Sequence, residues 1–240
     1  MRNNIAEMEF LYSQESIATQ FSRDKFHQFL QEDMIFPLKG VRKKYSKNEI
    51  IIPEGEVTNE IYFIESGNVA ATKDGENVIN FYAENEIIGL TNLLLDSHSE
   101  YAFQVISNEL FVTKYDKESI IEKVINTQEG YFYHYVHMQN QVSQMIEKEQ
   151  LLRLPSEQRI SLALLILGTK FGEETNDQDL IGFPKSISKG MIGQYTNLNP
   201  NTITNVLQKL QEEEIIYPAR RAFYVDIFKL EIKLDQVLKK

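Results

Sequence analysis

The stretch from Val41 to Tyr115 most constrains what this chain can fold into. Short runs rich in isoleucine, valine, phenylalanine and tyrosine recur there, separated by turn residues about every 8–12 positions. Strands of this length and spacing are typical of an all-β barrel or roll. Asp74-Gly75 suits a tight hairpin because glycine accepts a positive φ at little steric cost. We therefore predict a β-roll in the N-terminal half of the chain.

Helical periodicity flanks this roll on both sides. Residues 5–36 carry apolar side chains near helical spacing, and Asp116 is expected to cap a short helix after the roll. A longer helix is predicted from 127 to 152. Its apolar residues follow a heptad seam that only Glu149 interrupts: Tyr131, Tyr135, Met138, Val142, Met145 and Leu152. Such a stripe either packs on its own domain or meets its copy in a two-fold dimer.

After Pro155, which ends the long helix, Ser156 is expected to cap an apolar core helix, and an acidic loop follows at 172–182. The segment 187–211 then predicts two short helices around a turn. Ser188 and Asn199 can cap them, and Pro200 stands at the first position of the second helix, where its missing N–H costs nothing. The residues predicted to be buried in that second helix are Ile203, Val206, Leu207 and Leu210. Its outward face is predicted to carry Asn201, Thr202, Thr204, Asn205 and Gln208.

A strand, a turn and a second strand are predicted behind these helices. Arg220 and Arg221 fall at the turn, where two arginines could grip phosphates. The two helices alone could be an ordinary α-hairpin with a solvated polar face, but the hairpin behind them makes a winged helix-turn-helix the more specific interpretation. The predicted fold class is α+β, in three parts. Residues 1–126 form a β-roll domain of effector type with flanking helices, 127–154 a long dimer helix, and 155–240 a winged-helix DNA-binding domain.

The charges are distributed unevenly between these parts. Of the 25 basic and 35 acidic residues, 12 and 11 lie in 151–240, which therefore has a net charge of +1. The remaining 13 basic and 24 acidic residues give 1–150 a net charge of −11. An acidic N-terminal part repels DNA and leaves the near-neutral C-terminal part to approach it.

Several function classes lose support from what the sequence lacks. The chain contains no cysteine, which excludes disulfides, thiolate metal sites and cysteine nucleophiles. Its first residues do not resemble a signal peptide and no window of 18 apolar residues occurs, so we expect a cytoplasmic protein without a membrane span. No metal-ligand spacing, phosphate loop or nucleophile–base pair appears, so we expect no cofactor, no metal and no enzymatic activity.

Over nearly its whole length the chain resembles the Crp/Fnr family of bacterial transcription regulators. The resemblance rests on four segments of this sequence. Two lie in the roll, YSKNEIIIPEGEVTNEIYFIESGNVAAT and ENEIIGLTNLLLDSHSEYAFQVISNELFVTKYDKESI, one follows the long helix, EQRISLALLILGTKFG, and one is the helix-turn-helix, ISKGMIGQYTNLNPNTITNVLQKLQEEEII. It implies a cyclic-nucleotide-binding-like jelly roll, a homodimer through the long helix, RNA polymerase as a partner, and DNA half-sites about one helical turn apart. Within the family the chain most resembles the cyclic-nucleotide-independent Firmicute branch that includes the listerial virulence activator, through YFYHYVHMQNQVSQ in the long helix and KLQEEEIIY at the end of the helix-turn-helix.

Two departures from the family pattern bear on function. In nucleotide-binding members a Gly-Glu opens a phosphate cassette and an Arg-Ser/Thr closes it, whereas this chain has Gly89-Leu90 and Ser99-Glu100-Tyr101. Because Glu100 would repel a phosphate, we expect no productive binding of cyclic AMP. The reading helix also lacks the family's arginines, and asparagine bonds bidentately to adenine. An A/T-biased half-site is therefore predicted.

The candidate sites follow from these comparisons. The predicted DNA contacts are Ser188, Lys189, Asn199, Asn201, Thr202, Thr204, Asn205, Lys209, Arg220 and Arg221. If a small-molecule effector exists, its site is expected at Gly89, Leu90, Thr91, Asn92, Ser99, Glu100 and Tyr101, although Leu90, Tyr101 and Phe103 could simply fill this space. His134 and His137 lie one turn apart on the long helix, and two nitrogens alone make a poor metal site.

Two other functions compete with a dimeric DNA-binding regulator. One is an enzyme or a pure ligand-binding module on a β-roll. The other is a paralogue that keeps the fold, binds DNA weakly or not at all, and acts through a protein or small-molecule partner. The acidic balance and the missing arginines keep the second alternative open.

Overall fold

The computed structural model describes residues 14–32, 37–176, 179–219 and 222–238, without the side chains of 14, 15, 222 and 236–238. Two short helices come first, α1 (Gln14–Gln20) and α2 (Arg23–Glu32). The helix predicted over 5–36 is confirmed at 14–20 and 23–32, with a break at Phe21 and Ser22 that the sequence did not predict. The Ser22 carbonyl oxygen accepts from the Phe26 N–H at 2.9 Å, and serine is favoured at a helix start. Residues 5–13 and 33–36 of that prediction lie outside the described ranges.

Eight strands follow in the described chain, as the sequence predicts for a roll. They are β1 (Val41–Ser46), β2 (Ile50–Ile52), β3 (Glu60–Ser66), β4 (Val69–Lys73), β5 (Asn77–Tyr82), β6 (Ile87–Ile88), β7 (Ala102–Val105) and β8 (Glu109–Asp116). One sheet has the order β1-β8-β3-β6 and another the order β2-β7-β4-β5. Asp74 and Gly75 both have positive φ, which confirms the tight hairpin between β4 and β5.

Three helices follow the roll: α3 (Lys117–Asn126), α4 (Gln128–Arg153) and α5 (Ser156–Phe171). The Asp116 side chain accepts from the Ser119 N–H, so the predicted cap of α3 is confirmed. The predicted cap by Ser156 is wrong. Ser156 is already the first helical residue of α5, and Pro155 occupies the cap position without a side-chain hydrogen bond, since proline has no side-chain acceptor.

The C-terminal elements are β9 (Glu173–Glu174), β10 (Leu180–Gly182), α6 (Lys189–Thr196), α7 (Pro200–Glu212), β11 (Ile216–Ala219), β12 (Ala222–Asp226) and α8 (Ile227–Leu238). The acidic segment predicted as a loop therefore contains two short strands, because Leu180–Gly182 pairs with β12 in a sheet of order β11-β12-β10-β9. Helix α8 was not predicted. Asp226 caps it by accepting from the Lys229 N–H at 2.9 Å.

By their contacts the residues form two compact units, one of Met1–Val69 with Tyr82–Met145 and the other of Ala70–Phe81 with Ile146–Lys240. The first unit has an aromatic core to which α2 contributes Phe26 and Leu30, both almost fully buried. Burying two such side chains contributes about 2 kcal/mol each. Tyr133 of α4 stacks on Phe26 with ring centroids 5.2 Å apart. The N-terminal helices are thus held by apolar burial on the roll and α4.

The predicted dimer seam lies on α4 and is largely exposed in the single chain. Tyr131 is 64% exposed, Val142 48% and Met145 61%, and Tyr135 is also exposed, while Met138 and Leu152 are half-buried. The residues of α4 that pack inside the chain are others, chiefly Val136 and Leu151, which are 6% and 0% exposed. Most of the seam, at Tyr131, Tyr135, Val142 and Met145, is therefore not used to pack α4 within the described chain.

Candidate nucleic-acid interface

Helix α6 begins and ends through polar side chains and a special backbone position. The Ser188 side chain accepts from the Met191 N–H, as predicted. Asn197 ends the helix in the left-handed conformation with φ of 52°, which asparagine tolerates better than most residues. A Cβ on Gly193 would lie 3.1 Å from the Leu198 carbonyl oxygen and 3.5 Å from the Ile203 side chain. The small residue at 193 therefore lets α7 pack closely after the turn.

Helix α7 starts as the sequence predicts. The Asn199 side chain accepts from the Thr202 N–H at 2.9 Å, and Pro200 is the first helical residue. Ile203, Leu207 and Leu210 are buried, which gives the helix a strongly one-sided apolar face. Val206 was also predicted to be buried but is only half-buried, because it lies at the edge of that face.

The outward face of α7 presents amide side chains. Asn201, Asn205 and Gln208 are exposed, and Asn201 and Asn205 lie one helical turn apart on the same side. The two threonines are more restricted. Thr202 is half-buried and its hydroxyl donates to the Asn199 side chain at 3.1 Å, while the Thr204 hydroxyl donates to the Pro200 carbonyl oxygen at 2.9 Å. Their hydroxyls are therefore left mainly as acceptors, and the amides are the principal donors of this face.

The strand, turn and strand behind α7 form an antiparallel hairpin. Residue pairs Pro218 with Phe223 and Ala219 with Ala222 face each other across β11 and β12. The paired residues of the described hairpin therefore end at Ala219 and Ala222. Arg220 and Arg221 themselves lie outside the described residues.

The predicted phosphate contacts differ in what surrounds them. Lys189 is exposed in the first turn of α6. Lys209 donates instead to Glu157 at 2.6 Å, and Lys233 reaches the other oxygen of the same carboxylate at 2.7 Å. The hydrogen bonds from Lys209 and Lys233 lower the pKa of Glu157. Any phosphate contact by Lys209 must therefore compete with an existing ion pair.

A groove of about 750 Å³ lies between α7 and the wing strands. It brings together Ser188, Lys189 and Thr204, three of the residues predicted from sequence. Lys185, Gln208 and Gln211 line it as well. Sequence reasoning missed Lys185 and Gln211 as candidate contacts. The one sequence feature that indicates them is a polar side chain close to the ends of the predicted helices.

Packed apolar side chains fill much of the space at the predicted effector site. Gly89 has φ of +92°, and a Cβ there would lie 2.7 Å from the Glu60 carbonyl oxygen, so glycine is required by the backbone. Leu90 is 1% exposed and belongs to the aromatic core of the first unit. Phe103 is buried as well, whereas Tyr101 is half-buried. Leu90 and Phe103 thus fill this part of the roll with apolar side chains.

The polar members of that predicted site lie in its loop. Thr91 and Glu100 are exposed, and the Ser99 hydroxyl donates to the Tyr101 carbonyl oxygen at 2.7 Å. Asn92 accepts at 3.3 Å from Lys117, a buried residue at the start of α3 that sequence reasoning missed. Burial lowers the pKa of the Lys117 ammonium. Lys117 also donates to Ser97 at 2.8 Å, so it ties the loop 92–97 to α3.

His137 on α4 is buried, and its Nε2–H donates to the Leu90 carbonyl oxygen at 2.8 Å. His134 is half-buried, and its Nε2 has no hydrogen-bond partner among the described residues. Burial lowers the pKa of both, that of His137 to about 4. No group of three or more residues that could hold a metal ion occurs among the described residues. The two histidines are therefore neutral packing residues near pH 7.

Burial of His137 predicts an acid-dependent loss of stability. The unfolded imidazole takes up a proton below pH 6.5 while the folded one stays neutral until about pH 4, so stability falls between these values. From pH 7.5 to 5 the loss attributable to His137 is expected to be about 2 kcal/mol. Urea denaturation at both pH values measures the free energy of unfolding. In the His137→Gln variant, which keeps an N–H donor, this free energy should fall less on acidification than in wild type. In the control variant His98→Gln, at an exposed position, it should fall as much as in wild type. An unchanged loss in His137→Gln would contradict this assignment.

Part of the chain matches a known domain family. Residues 42–124 match the family model described as a cyclic nucleotide-binding domain. A long helix and a winged helix-turn-helix follow, so the predicted α+β fold class is confirmed. No helix in the described ranges combines the length and apolar character needed to cross a bilayer.

Solved structures have the same architecture along most of the chain. A cyclic nucleotide-binding domain containing protein from Listeria monocytogenes shares 20% identity with a TM-score of 0.70, covering 87% of this chain and 99% of the other. FixK2 from Bradyrhizobium japonicum shares 19% identity with a TM-score of 0.69, over 81% and 96%. A CRP/FNR-family transcriptional regulator from Thermus thermophilus shares 13% identity with a TM-score of 0.66, over 81% and 98%. At these identities the similarity establishes the fold. No curated protein matches the chain by sequence.

Proposed function

We propose that this chain is a homodimeric, sequence-specific DNA-binding transcription regulator of the Crp/Fnr type. The observation that carries the proposal is the capped helix α7, whose outward amide face stands beside the groove and the wing. In a winged helix-turn-helix this helix enters the major groove and the wing grips the backbone. The helix at 199–211 is thus the one proposed to read DNA.

Affinity and base readout come from different residues in this proposal. The positive charge for phosphate contacts comes from Lys189, Arg220 and Arg221. Lys209 adds to it when it gives up its ion pair with Glu157 for a phosphate, and Ser188 adds an uncharged hydrogen-bond donor. Asn199 contributes by holding the first turn of α7, whose N–H groups favour an anion. Asn201 and Asn205 are proposed to bond adenine, with Thr202 and Thr204 offering methyl groups to thymine. With roughly five phosphate contacts per protomer, binding should weaken markedly as salt rises.

Control by cyclic AMP is not part of the proposal. At the place of the family's ribose-binding glutamate, Leu90 is buried in the apolar core, and the exposed Glu100 stands where the phosphate-binding arginine is expected. A buried aliphatic side chain cannot bond a ribose hydroxyl, and a carboxylate repels a phosphate. These residues support placement in the cyclic-nucleotide-independent Firmicute branch. An effector of another chemistry at residues 89–92 and 99–101 stays a hypothesis.

The partners follow from the same arrangement. The exposed stripe of α4 supports a two-fold dimer, and two copies of α7 would then read a palindromic site. RNA polymerase is proposed as a further partner and the cytoplasm as the location, with no catalytic role. A fold-retaining paralogue that acts through another partner is the second candidate. The Lys209–Glu157 pair favours it, because it withholds one positive charge from DNA.

Selection of binding sites from random double-stranded DNA tests the proposed function. We expect a palindrome with A/T-biased half-sites and an affinity that falls as salt rises, identical with and without cyclic AMP. A conserved guanine at the base pair that Asn205 contacts would contradict the proposed readout. No selection at low salt would contradict DNA binding and favour the second candidate. A requirement for cyclic AMP would overturn the argument from Leu90 and Glu100.

A further inference from the structure

The hairpin formed by β4 and β5 has a second role beyond the roll. Its residues Ala70–Phe81 group by their contacts with Ile146–Lys240, the part of the chain that contains the helix-turn-helix. Strand β5 is the last strand of its sheet, so its outer edge has no strand partner in the described part of the chain. We call residues 70–81 the clasp hairpin.

Two lysines hold the outer edge of the clasp hairpin. Lys148 of α4 donates from Nζ to the Val78 carbonyl oxygen at 3.2 Å and also to the Tyr195 carbonyl oxygen in α6. Its ammonium lies 3.3 Å from the centroid of the Tyr195 ring. Lys170 of α5 donates to the Phe81 carbonyl oxygen at 2.9 Å. One ammonium, that of Lys148, thus bridges the hairpin and the first helix of the helix-turn-helix.

Aromatic packing reinforces this attachment. The Phe81 ring is buried, with its centroid 5.4 Å from that of Tyr195 and 6.1 Å from that of Phe171. Tyr195 is buried as well. Apolar burial supplies most of the stabilisation, while Lys148 selects the position of α6 because a hydrogen bond requires a defined geometry.

The tip of the clasp hairpin faces the DNA-reading end of the helix-turn-helix. Glu76 and Asn77 share a crevice of about 530 Å³ with Lys189 at the start of α6 and with Asn199 and Thr204 at the start of α7. These helix starts carry the N–H groups and positive dipole ends that suit a DNA phosphate. The exposed carboxylate of Glu76 occupies the same surroundings.

The tip therefore stands beside the helix starts that are proposed to contact DNA. The crevice between the tip and these helix starts has room for a small ligand and not for a DNA duplex. A phosphate approaching α6 and α7 would also meet the like charge of Glu76. Both the volume and the charge of the tip therefore oppose DNA binding.

We propose that residues 70–81 form an autoinhibitory clasp, which Lys148 holds against α6 and whose acidic tip excludes DNA from α7. Opening requires Lys148 to give up its bond to Val78. Burial lowers the pKa of Lys148 to about 7, so the enclosed ammonium is costly and its release to water offsets part of the cost of opening. The proposal rests on the proposed DNA-binding function.

Cross-linking tests the clasp directly, because the chain has no cysteine of its own. Asn77→Cys and Gln194→Cys place one thiol on each side of the crevice. Joining them with a short bismaleimide is expected to weaken binding to the selected DNA at least tenfold. Each single-cysteine variant, treated with the same reagent, should bind like wild type. Undiminished binding by the cross-linked protein would overturn the clasp.

Releasing the clasp should have the opposite effect. Lys148→Met keeps the aliphatic stem without the ammonium, and Glu76→Gln removes the charge of the tip. Each is expected to tighten DNA binding several-fold, while Lys47→Met and Glu84→Gln at exposed positions of the roll should not. If Lys148→Met fails to fold, Glu76→Gln and the cross-link still test whether the clasp hairpin inhibits DNA binding. Equal binding by all variants overturns the clasp and leaves the proposed function standing, whereas no DNA binding by any form at low salt overturns both.

Discussion

Replacing Val142 with glutamate is expected to dissociate the protein into monomers and to weaken its binding to palindromic DNA by about 100-fold or more. Val142 lies in the middle of the exposed apolar stripe of α4, between Met138 and Met145. In a two-fold interface the substitution buries two like charges close to the axis, and each uncompensated buried charge costs about 3–5 kcal/mol. A monomer can bind only one half-site at a time. Sedimentation measures the oligomeric state and fluorescence anisotropy the affinity.

Ser143→Glu is the matched control for this experiment. It adds the same charge to the same helix, at an exposed position one residue away from the stripe. We expect it to remain dimeric with unchanged DNA affinity. If Val142→Glu stays dimeric at the same protein concentration, the stripe does not form the dimer interface.

Replacing Asn205 with arginine is expected to change which DNA is selected. Asparagine pairs with adenine and arginine with guanine, and each such bidentate contact discriminates by about 1–3 kcal/mol, or roughly 10- to 100-fold. The selected half-site should therefore change from adenine to guanine at one position. Asn205→Ala should lose the preference there without gaining another. Site selection with each purified variant measures this directly.

Asn108→Ala, at an exposed turn of the roll, controls for nonspecific effects of removing an amide. It should select the wild-type site with wild-type affinity. Should Asn205→Arg select the wild-type half-site unchanged, Asn205 does not contact a base. The Asn201→Ala variant then shows whether the neighbouring amide reads DNA instead.

The features that sequence alone predicted correctly are local ones. The caps at Asp116, Ser188 and Asn199 and the hairpin at Asp74-Gly75 each depend on residues within four positions of one another. The strand spacing of the roll and the one-sided apolar face of α7 are likewise periodic patterns of a continuous segment. Short-range steric and hydrogen-bonding preferences suffice for such elements.

The missed elements depend on partners that are distant in the sequence. Strand β10 exists because it pairs with β12, more than 40 residues later. The break between α1 and α2 accompanies the packing of Phe26 against Phe63 and Tyr133. Helix α8 is different, because its signal is local: Asp226 precedes an apolar run with helical spacing and caps the helix.

The sequence by itself determined the order of the parts, the caps and turns, and the amide face of α7, because these follow from neighbouring residues. Only the tertiary structure decided which charges are already paired and which surfaces stay exposed. Lys209 meets Glu157 across 52 residues, Lys148 meets Val78 across 70, and His137 meets the Leu90 carbonyl across 47. Such contacts depend on how the chain closes on itself. They also decide the pKa of a buried group and the charge left available for DNA.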